Sequence, residues 1–383
     1  MRTLILVCGE GLGHTSRCIA LAKELVSAGH EVHFGAYGYS QELIERKGYA
    51  VTAIPSEITL VGNAGTLDLK SSILKTIKKG SFFGILNIKK LIKKFHPDVV
   101  VSDGYFTGIL ASKLMKKPSY LVMNQSNMEE FFMDRGISGK FLAKVVQKFY
   151  SRVFKIVDGI IIPDYPMPYT ICRKNISFSD KMKKKVFYSG PVVGKAYGEV
   201  IPAQVHHPHV LSTVGGFGYR APLFLKVIRA AEMSPEIHYT LLTGPSVDSD
   251  KFTDLPHNVK MLQFINDQFP CIKASEVLIV PGGHSTLMEA LSFGIPVLSF
   301  PDIDHIEQQN NALAIEQNGV GYCLDYSTSP EEILEYIKEI VYNGKFVDNA
   351  QSMRQLSEKL NGAVAICKLL EKGAFSGKMD HKQ

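Results

Sequence analysis

The run Gly282-Gly-His-Ser-Thr-Leu-Met-Glu289 has the residue types and spacing to hold a nucleoside diphosphate. Val277 to Val280 before it is an apolar run of buried-strand length, and Gly282 and Gly283 let the backbone turn tightly. Ser285 or Thr286 then opens a helix that Gly294 and Pro296 close. The mouth of such a helix offers free N–H groups and the positive end of a dipole, which suit a diphosphate. Glu289 projects from the same face one turn deeper, where a carboxylate can accept both hydroxyls of a ribose. A second constellation stands near the N-terminus. His14 ends Gly9-Glu-Gly-Leu-Gly-His14, at the mouth of a helix expected to start near Ser16, where the dipole disfavours imidazolium and leaves a neutral base. Asp103 ends the strand in Pro97-Asp-Val-Val-Val-Ser-Asp-Gly-Tyr105, at the edge where αβ sheets keep their ligands. It either pairs with His14 and orients it or caps a helix.

These residues need strands that end in turns, and the chain supplies two series of them. Thr3–Cys8, Glu31–Gly35, Val99–Ser102, Ser119–Met123 and Gly159–Ile162 read as strands separated by helices at 16–28, 41–47, 108–115 and 141–157. A second series, from His209–Val214 through Tyr239–Leu242, Val259–Leu262, Val277–Val280, Pro296–Phe300 and Gly321–Leu324, repeats the alternation. Alternation of this kind gives parallel sheets covered on both faces. The expectation is an α/β chain of two doubly wound domains facing across a cleft, 1–195 and 206–350, joined by a Gly-, Pro- and His-rich linker. Met353, Leu356, Leu360, Val364, Cys367 and Leu370 form a last helical pattern over 351–372, and 373–383 reads as a loose tail.

The segment from Phe264 to Ala312 resembles the donor site of GT-B glycosyltransferases. It is closest to the N-acetylglucosaminyltransferase that makes lipid II and more distant from the UDP-glycosyltransferases. In both, a glycine is followed six residues later by a ribose-binding glutamate, as Gly283 is by Glu289. Both also carry a sugar-reading pair before Asn-Ala, matched by Glu307 and Gln308 in Glu307-Gln-Gln-Asn-Asn-Ala312. The resemblance implies a GT-B fold in which the last helix packs back on the first domain. It implies His14 as general base and Asp103 as its partner. It also implies donor contacts from Gly13, Gly215 and Gly216 of the glycine turns, from Phe264 and Ile265 beside the base, and from His284, Ser285 and Thr286 at the helix mouth. Asn124, Gln125 and Asn127 stand where the lipid II enzyme has a polar tetrad, to orient the acceptor or sugar or to stabilise their loop. Glu307 stands where the lipid II enzyme has Gln, and its arginine near Val193 is missing, so that Lys195 is the candidate replacement charge and the donor sugar stays open.

Asp302-Ile-Asp304-His305 and His206-His-Pro-His209 have metal-ligand residue types. The reading is nevertheless that no metal is required, since helix dipole and amides already neutralise the diphosphate in a GT-B site. The co-substrate is then a UDP-sugar, and the reaction an inverting transfer of a hexose or N-acetylhexosamine to a hydroxyl. Gly11-Leu-Gly-His-Thr-Ser-Arg-Cys-Ile-Ala-Leu-Ala22 also resembles the UDP-sugar hydrolases of pseudaminic acid synthesis, which is the competing activity. A noncatalytic sugar- or lipid-binding subunit is the third reading.

Length and composition fit two cores: 383 residues, 45% hydrophobic, net charge +6. The six cysteines are spread without a Cys-x-x-Cys pair, no apolar run nears the roughly 20 residues of a membrane span, and the N-terminus breaks into glycine too early for a signal peptide. A cytoplasmic protein is expected, with no nucleic-acid partner. From Leu69 to Pro97 lysines alternate with Ile, Leu and Phe and no acid intervenes. That segment either docks the first domain on the anionic inner face of a membrane, bringing a lipid-linked acceptor to the cleft, or packs as an ordinary surface helix with solvated lysines.

Overall fold

The computed structural model describes the chain except residues 10, 58–61, 64–65, 68–83, 134–135, 216–219, 245–246, 248–251, 253, 264 and 380–383. Strands β1 (Arg2–Val7), β2 (Glu31–Ala36), β3 (Val51–Ala53), β6 (Val99–Asp103), β7 (Ser119–Val122), β8 (Gly159–Ile162) and β9 (Val186–Tyr188) form one sheet in the order β3-β2-β1-β6-β7-β8-β9. A short hairpin, β4 (Gly62–Asn63) and β5 (Thr66–Leu67), stands apart. The second sheet holds β10 (His209–Thr213), β11 (His238–Leu242), β12 (Val259–Leu262), β13 (Val277–Val280), β14 (Val297–Ser299) and β15 (Gly321–Cys323), ordered β12-β11-β10-β13-β14-β15. Every pairing within these two sheets is parallel. Because the strands are covered on both faces they read as continuous apolar runs: β13 is Val-Leu-Ile-Val and fully buried. The two-domain α/β expectation therefore holds.

In each sheet the strand order reverses once, between β1 and β6 and between β10 and β13, and ligands bind at such switch points. Val7 pairs with Asp103, so the turn after β1 and the end of β6 lie side by side.

The first helix, Leu12–Ser27, buries Cys18, Leu21 and Leu25 against Val99 and Val101 on one face of the first sheet. Ile366, Cys367 and Leu370 of the last helix, Gly362–Met379, join the same cluster, so the C-terminus crosses back to the first domain. The single pattern expected over 351–372 is two helices, broken at Asn361, which has φ 34°. Met353 in the helix Gly344–Leu360 packs instead in the second domain's core. The tail is also helical as far as Met379 rather than loose from residue 373. Apolar periodicity ran through the break and fixed neither the hinge nor the end.

Helices Gly84–Phe95, Phe106–Leu114 and Gly136–Ile156 cover the opposite face. In the first of them Ile88, Leu91, Ile92 and Phe95 are buried on Leu4, Leu6 and Val100, while Lys90, Lys93 and Lys94 are exposed. The described part of the 69–97 segment thus packs as an amphipathic helix, and burial of each such side chain is worth roughly 1.5–3 kcal/mol. Phe82 and Phe83 lie outside the described residues.

Candidate donor and catalytic site

The first helix begins at Leu12, four residues before the expected Ser16, after Gly11 turns with φ 99°. Gly13 belongs to its first turn and not to a loop. A Cβ on Gly13 would lie 2.7 Å from Ser285 Oγ, so this glycine is required where the two domains meet. His14, one residue on, is partly exposed in the cleft, and its Nδ1 lies 2.7 Å from Asp103 Oδ1. Asp103 is fully buried and is not a helix cap; the helix that follows starts at Phe106, and its first N–H groups are taken by Glu57. The structure therefore resolves the two sequence readings of Asp103 in favour of the pair.

A residue that sequence reasoning passed over completes this cluster. Arg17, three residues after His14 and so on the same helix face, donates from Nε and Nη2 to both oxygens of Asp103, each at 2.5 Å. Burial alone would raise the Asp103 carboxyl, but Arg17 first and His14 second overcome it and hold the group well below the usual carboxylate range. Burial likewise works against the Arg17 charge, and Asp103 more than compensates, so the guanidinium stays protonated. The i,i+3 spacing of a base and an arginine was the available signal.

Across the cleft the helix His284–Phe293 starts one residue before the expected Ser285, with Gly283 as an extended N-cap, and is closed by Gly294 in the left-handed region (φ 72°), as its sequence implied. No side chain caps its first turn. Ser285 and Thr286 are half-buried there, and His284 is buried with its ring turned to the loop after β8, Nε2 3.6 Å from Asp164 Oδ2. His284 thus contributes its backbone N–H to the helix mouth. Gly282 allows the turn to pass under the next helix, since a Cβ on it would lie 2.4 Å from the Gln308 carbonyl oxygen. Glu289 is buried one turn below the mouth, and its Oε2 accepts from Gln268 Nε2 at 2.6 Å. Burial pushes its carboxyl up to about 8, an effect that the Gln268 hydrogen bond only partly offsets.

Gly215 follows β10 at the second switch point with φ 67°. Behind it Arg220 forks onto Asp302 at 2.7 and 2.5 Å and donates to the Val214 carbonyl, which anchors the backbone just before Gly215. The Asp302 carboxylate of the proposed metal-type motif is therefore committed to an arginine. Gly216 and Phe264 lie outside the described residues; Ile265 packs on the second domain's core.

The pair Glu307 and Gln308 divides. Glu307 faces the first domain, its Oε1 accepting from Asn124 Nδ2 at 2.6 Å and from Asn311 Nδ2 at 2.9 Å. Gln308 is buried and gives its amide to Asp302, accepting from the Asp302 N–H at 3.0 Å and donating to Oδ2 at 3.2 Å. Of the polar tetrad, Asn124 alone is brought to Glu307; Asn127 donates to the Lys174 carbonyl as a loop brace, and Gln125 is buried beside it. Lys195 is paired with Asp267 at 2.5 Å. It lines a hinge cavity of about 350 Å³ with Lys23, Tyr197 and Glu358, apart from the residues just described.

Comparison with known proteins gives this architecture a family. A model of the glycosyltransferase family 28 C-terminal domain matches residues 219–367, and a glycosyl transferase family 1 model matches residues 1–157. An uncharacterized glycosyltransferase of Methanosarcina acetivorans is 53% identical over 372 residues, 97% of this chain and 98% of its own. The chain belongs to the GT-B glycosyltransferases. This glycosyltransferase is also 23% identical over 392 residues to the UDP-N-acetylglucosamine–N-acetylmuramyl-(pentapeptide) pyrophosphoryl-undecaprenol N-acetylglucosamine transferase of Rickettsia felis, covering 97% of this chain and 99% of that one. Its fold matches CalG4, the calicheamicin glycosyltransferase, with a TM-score of 0.74 at 17% identity, over 97% of this chain and 98% of that one. Spinosyn rhamnosyltransferase SpnG complexed with thymidine diphosphate follows with a TM-score of 0.70 at 18% identity, over 97% of this chain and all of that one.

Proposed function

We propose that this glycosyltransferase moves a hexose or N-acetylhexosamine from a UDP-sugar to a hydroxyl acceptor with inversion and without a metal. His14 Nε2 takes the acceptor proton while Nδ1 donates to Asp103. The acceptor oxygen forms its bond to the anomeric carbon as the bond from that carbon to the diphosphate oxygen breaks, and UDP leaves. The amide-lined mouth of the helix His284–Phe293 receives the negative charge that develops on the diphosphate. Glu289 takes the ribose hydroxyls, and Glu307, steadied by Asn124, reads the sugar. The observation that carries this reading is the 2.7 Å contact of His14 with a buried carboxylate, at the switch point and opposite the donor helix.

A lipid-linked acceptor is the class the first domain suits best. The helices Gly84–Phe95, Phe106–Leu114 and Gly136–Ile156 contain ten basic residues, Lys140, Lys144 and Lys148 among them, and no Asp or Glu. On the last, Ile137 and Phe141 stand one turn apart at 91% and 70% exposure, followed by Val145 and Phe149, also exposed. Lysines near an anionic surface contribute roughly 1 kcal/mol each, and exposed apolar side chains add shallow insertion. No helix among the described residues is long and apolar enough to cross a membrane; the docking proposed is peripheral, on the cytoplasmic face.

A donor screen that follows UDP release with and without lipid-linked acceptors tests the reading. Release that needs an acceptor and survives EDTA supports it. Equal release without any acceptor identifies a hydrolase, and strong inhibition by EDTA reinstates a metal. Salt-sensitive cosedimentation with anionic vesicles, reduced when Lys140, Lys144 and Lys148 become Gln, supports docking, whereas no vesicle binding at low salt removes it.

A further inference from the structure

Arg17 touches both members of the His14–Asp103 pair. Its guanidinium is buried and occupies both carboxylate oxygens, and the same Nη2 that donates to Oδ1 lies 2.8 Å from His14 Nδ1. Nδ1 donates to the carboxylate or accepts from the guanidinium, never both. A histidine beside an unshared aspartate is stabilised in its protonated form by a full negative charge. Here a cation at hydrogen-bond distance from both partners matches that charge.

We infer that Arg17 is a positioning residue that cancels the charge of Asp103, so that the carboxylate orients His14 without holding it protonated. The inference rests on His14 being the base. Arg17 lies on the helix of His14, as does Cys18, whose thiol donates to Asp103 Oδ2 at 3.3 Å. Burial pushes that thiol far above its usual range, so it adds no charge. From β1 and its turn comes Cys8; the empty Cβ position of Gly104 lies between Cys8 and the His14 ring. From across the cleft Glu307 adds a negative charge that Arg17 feels. Among these described groups the guanidinium is the cation that opposes an imidazolium.

The charge state can be read without any substrate. In protein carrying [13Cε1]histidine, the His14 resonance is assigned by its loss in His14→Gln and titrated by NMR. In Arg17→Gln, Asp103 acts alone and the midpoint rises by about one unit or more; an unchanged or lower midpoint overturns the inference. Should Arg17→Gln not fold, the double variant Arg17→Gln/Asp103→Asn buries no unpaired charge. Its midpoint is expected above that of Asp103→Asn alone, where Arg17 faces the imidazole uncompensated, and equal midpoints overturn the inference as well. The acid limb of the turnover profile should move up with the NMR midpoint in Arg17→Gln while KM holds. A fall in kcat with an unmoved acid limb makes Arg17 a structural brace. Full activity in His14→Gln is a different failure: it removes the base assignment, and with it this role for Arg17, whatever the NMR midpoints show.

Discussion

Asp103 and Glu289 are both buried carboxylates facing one cleft, one from each domain, and their surroundings hold them in opposite charge states. At Asp103 the desolvation penalty is overcome by the Arg17 fork and then by His14, and the group is ionised throughout the physiological range. At Glu289 the same penalty meets only the neutral amide of Gln268, and the group is pushed up to about 8. The contrast teaches a division of labour. Asp103 in the first domain already has a counter-charge in Arg17, whereas Glu289 in the second has only a neutral amide beside it. Linkage gives each a sign. The depressed value at Asp103 contributes stability that is present above about pH 4, its unfolded value, and is lost as pH falls further. The raised value at Glu289 contributes stability that is present below about pH 4 and lost as pH rises through 8.

The largest effect expected from breaking this contrast lies at the second guanidinium-matched carboxylate. Asp302→Ala leaves Arg220 buried and uncompensated, and denaturant unfolding should show a loss of about 3–5 kcal/mol. A loss under about 1 kcal/mol would mean that the Arg220 fork is not a structural pair. Next comes Glu289→Ala, which should weaken UDP binding by about 1.5–3 kcal/mol in calorimetry, as expected for hydrogen bonds to a charged acceptor. Unchanged affinity in a folded variant would remove the ribose assignment. The pH arm sharpens the same point: wild-type affinity for UDP should climb between about pH 7 and 9 as the acceptor ionises, and Glu289→Gln should flatten that rise and the stability loss between about pH 4 and 8. The smallest change is Asn124→Ala, which removes one amide from Glu307 and should lower turnover by about 1 kcal/mol of barrier or less with UDP affinity held. A larger loss of UDP affinity would move Asn124 into the donor site.

Much of this was readable in the chain because side-chain patterns report burial. The fully buried strands were plain as apolar runs, and β8, β12 and β13 have the bounds their composition implied. Gly294 closed the donor helix as a left-handed cap because only a residue without a Cβ takes that conformation readily. The start of the first helix was not legible, since Gly13 looks like a turn residue until the approach of Ser285 from the other domain explains it. The pairing of Gln308 with Asp302 was not legible for a similar reason. Motif likeness points Gln308 to the sugar, and its partner Asp302 and the matching Arg220 are joined only by tertiary structure. Arg17 stood in plain view at i+3 from His14, but its importance depends on Asp103, which lies 86 positions away.

The central claim is that the first domain does the chemistry and the second holds the donor, and the His14→Ala variant tests it most directly. UDP release with acceptor present and UDP affinity by calorimetry should be measured on the same preparation. The account predicts turnover lower by about 10²–10⁴-fold with UDP affinity close to wild type. Full turnover, or a loss of UDP affinity to match the loss of rate, would contradict it.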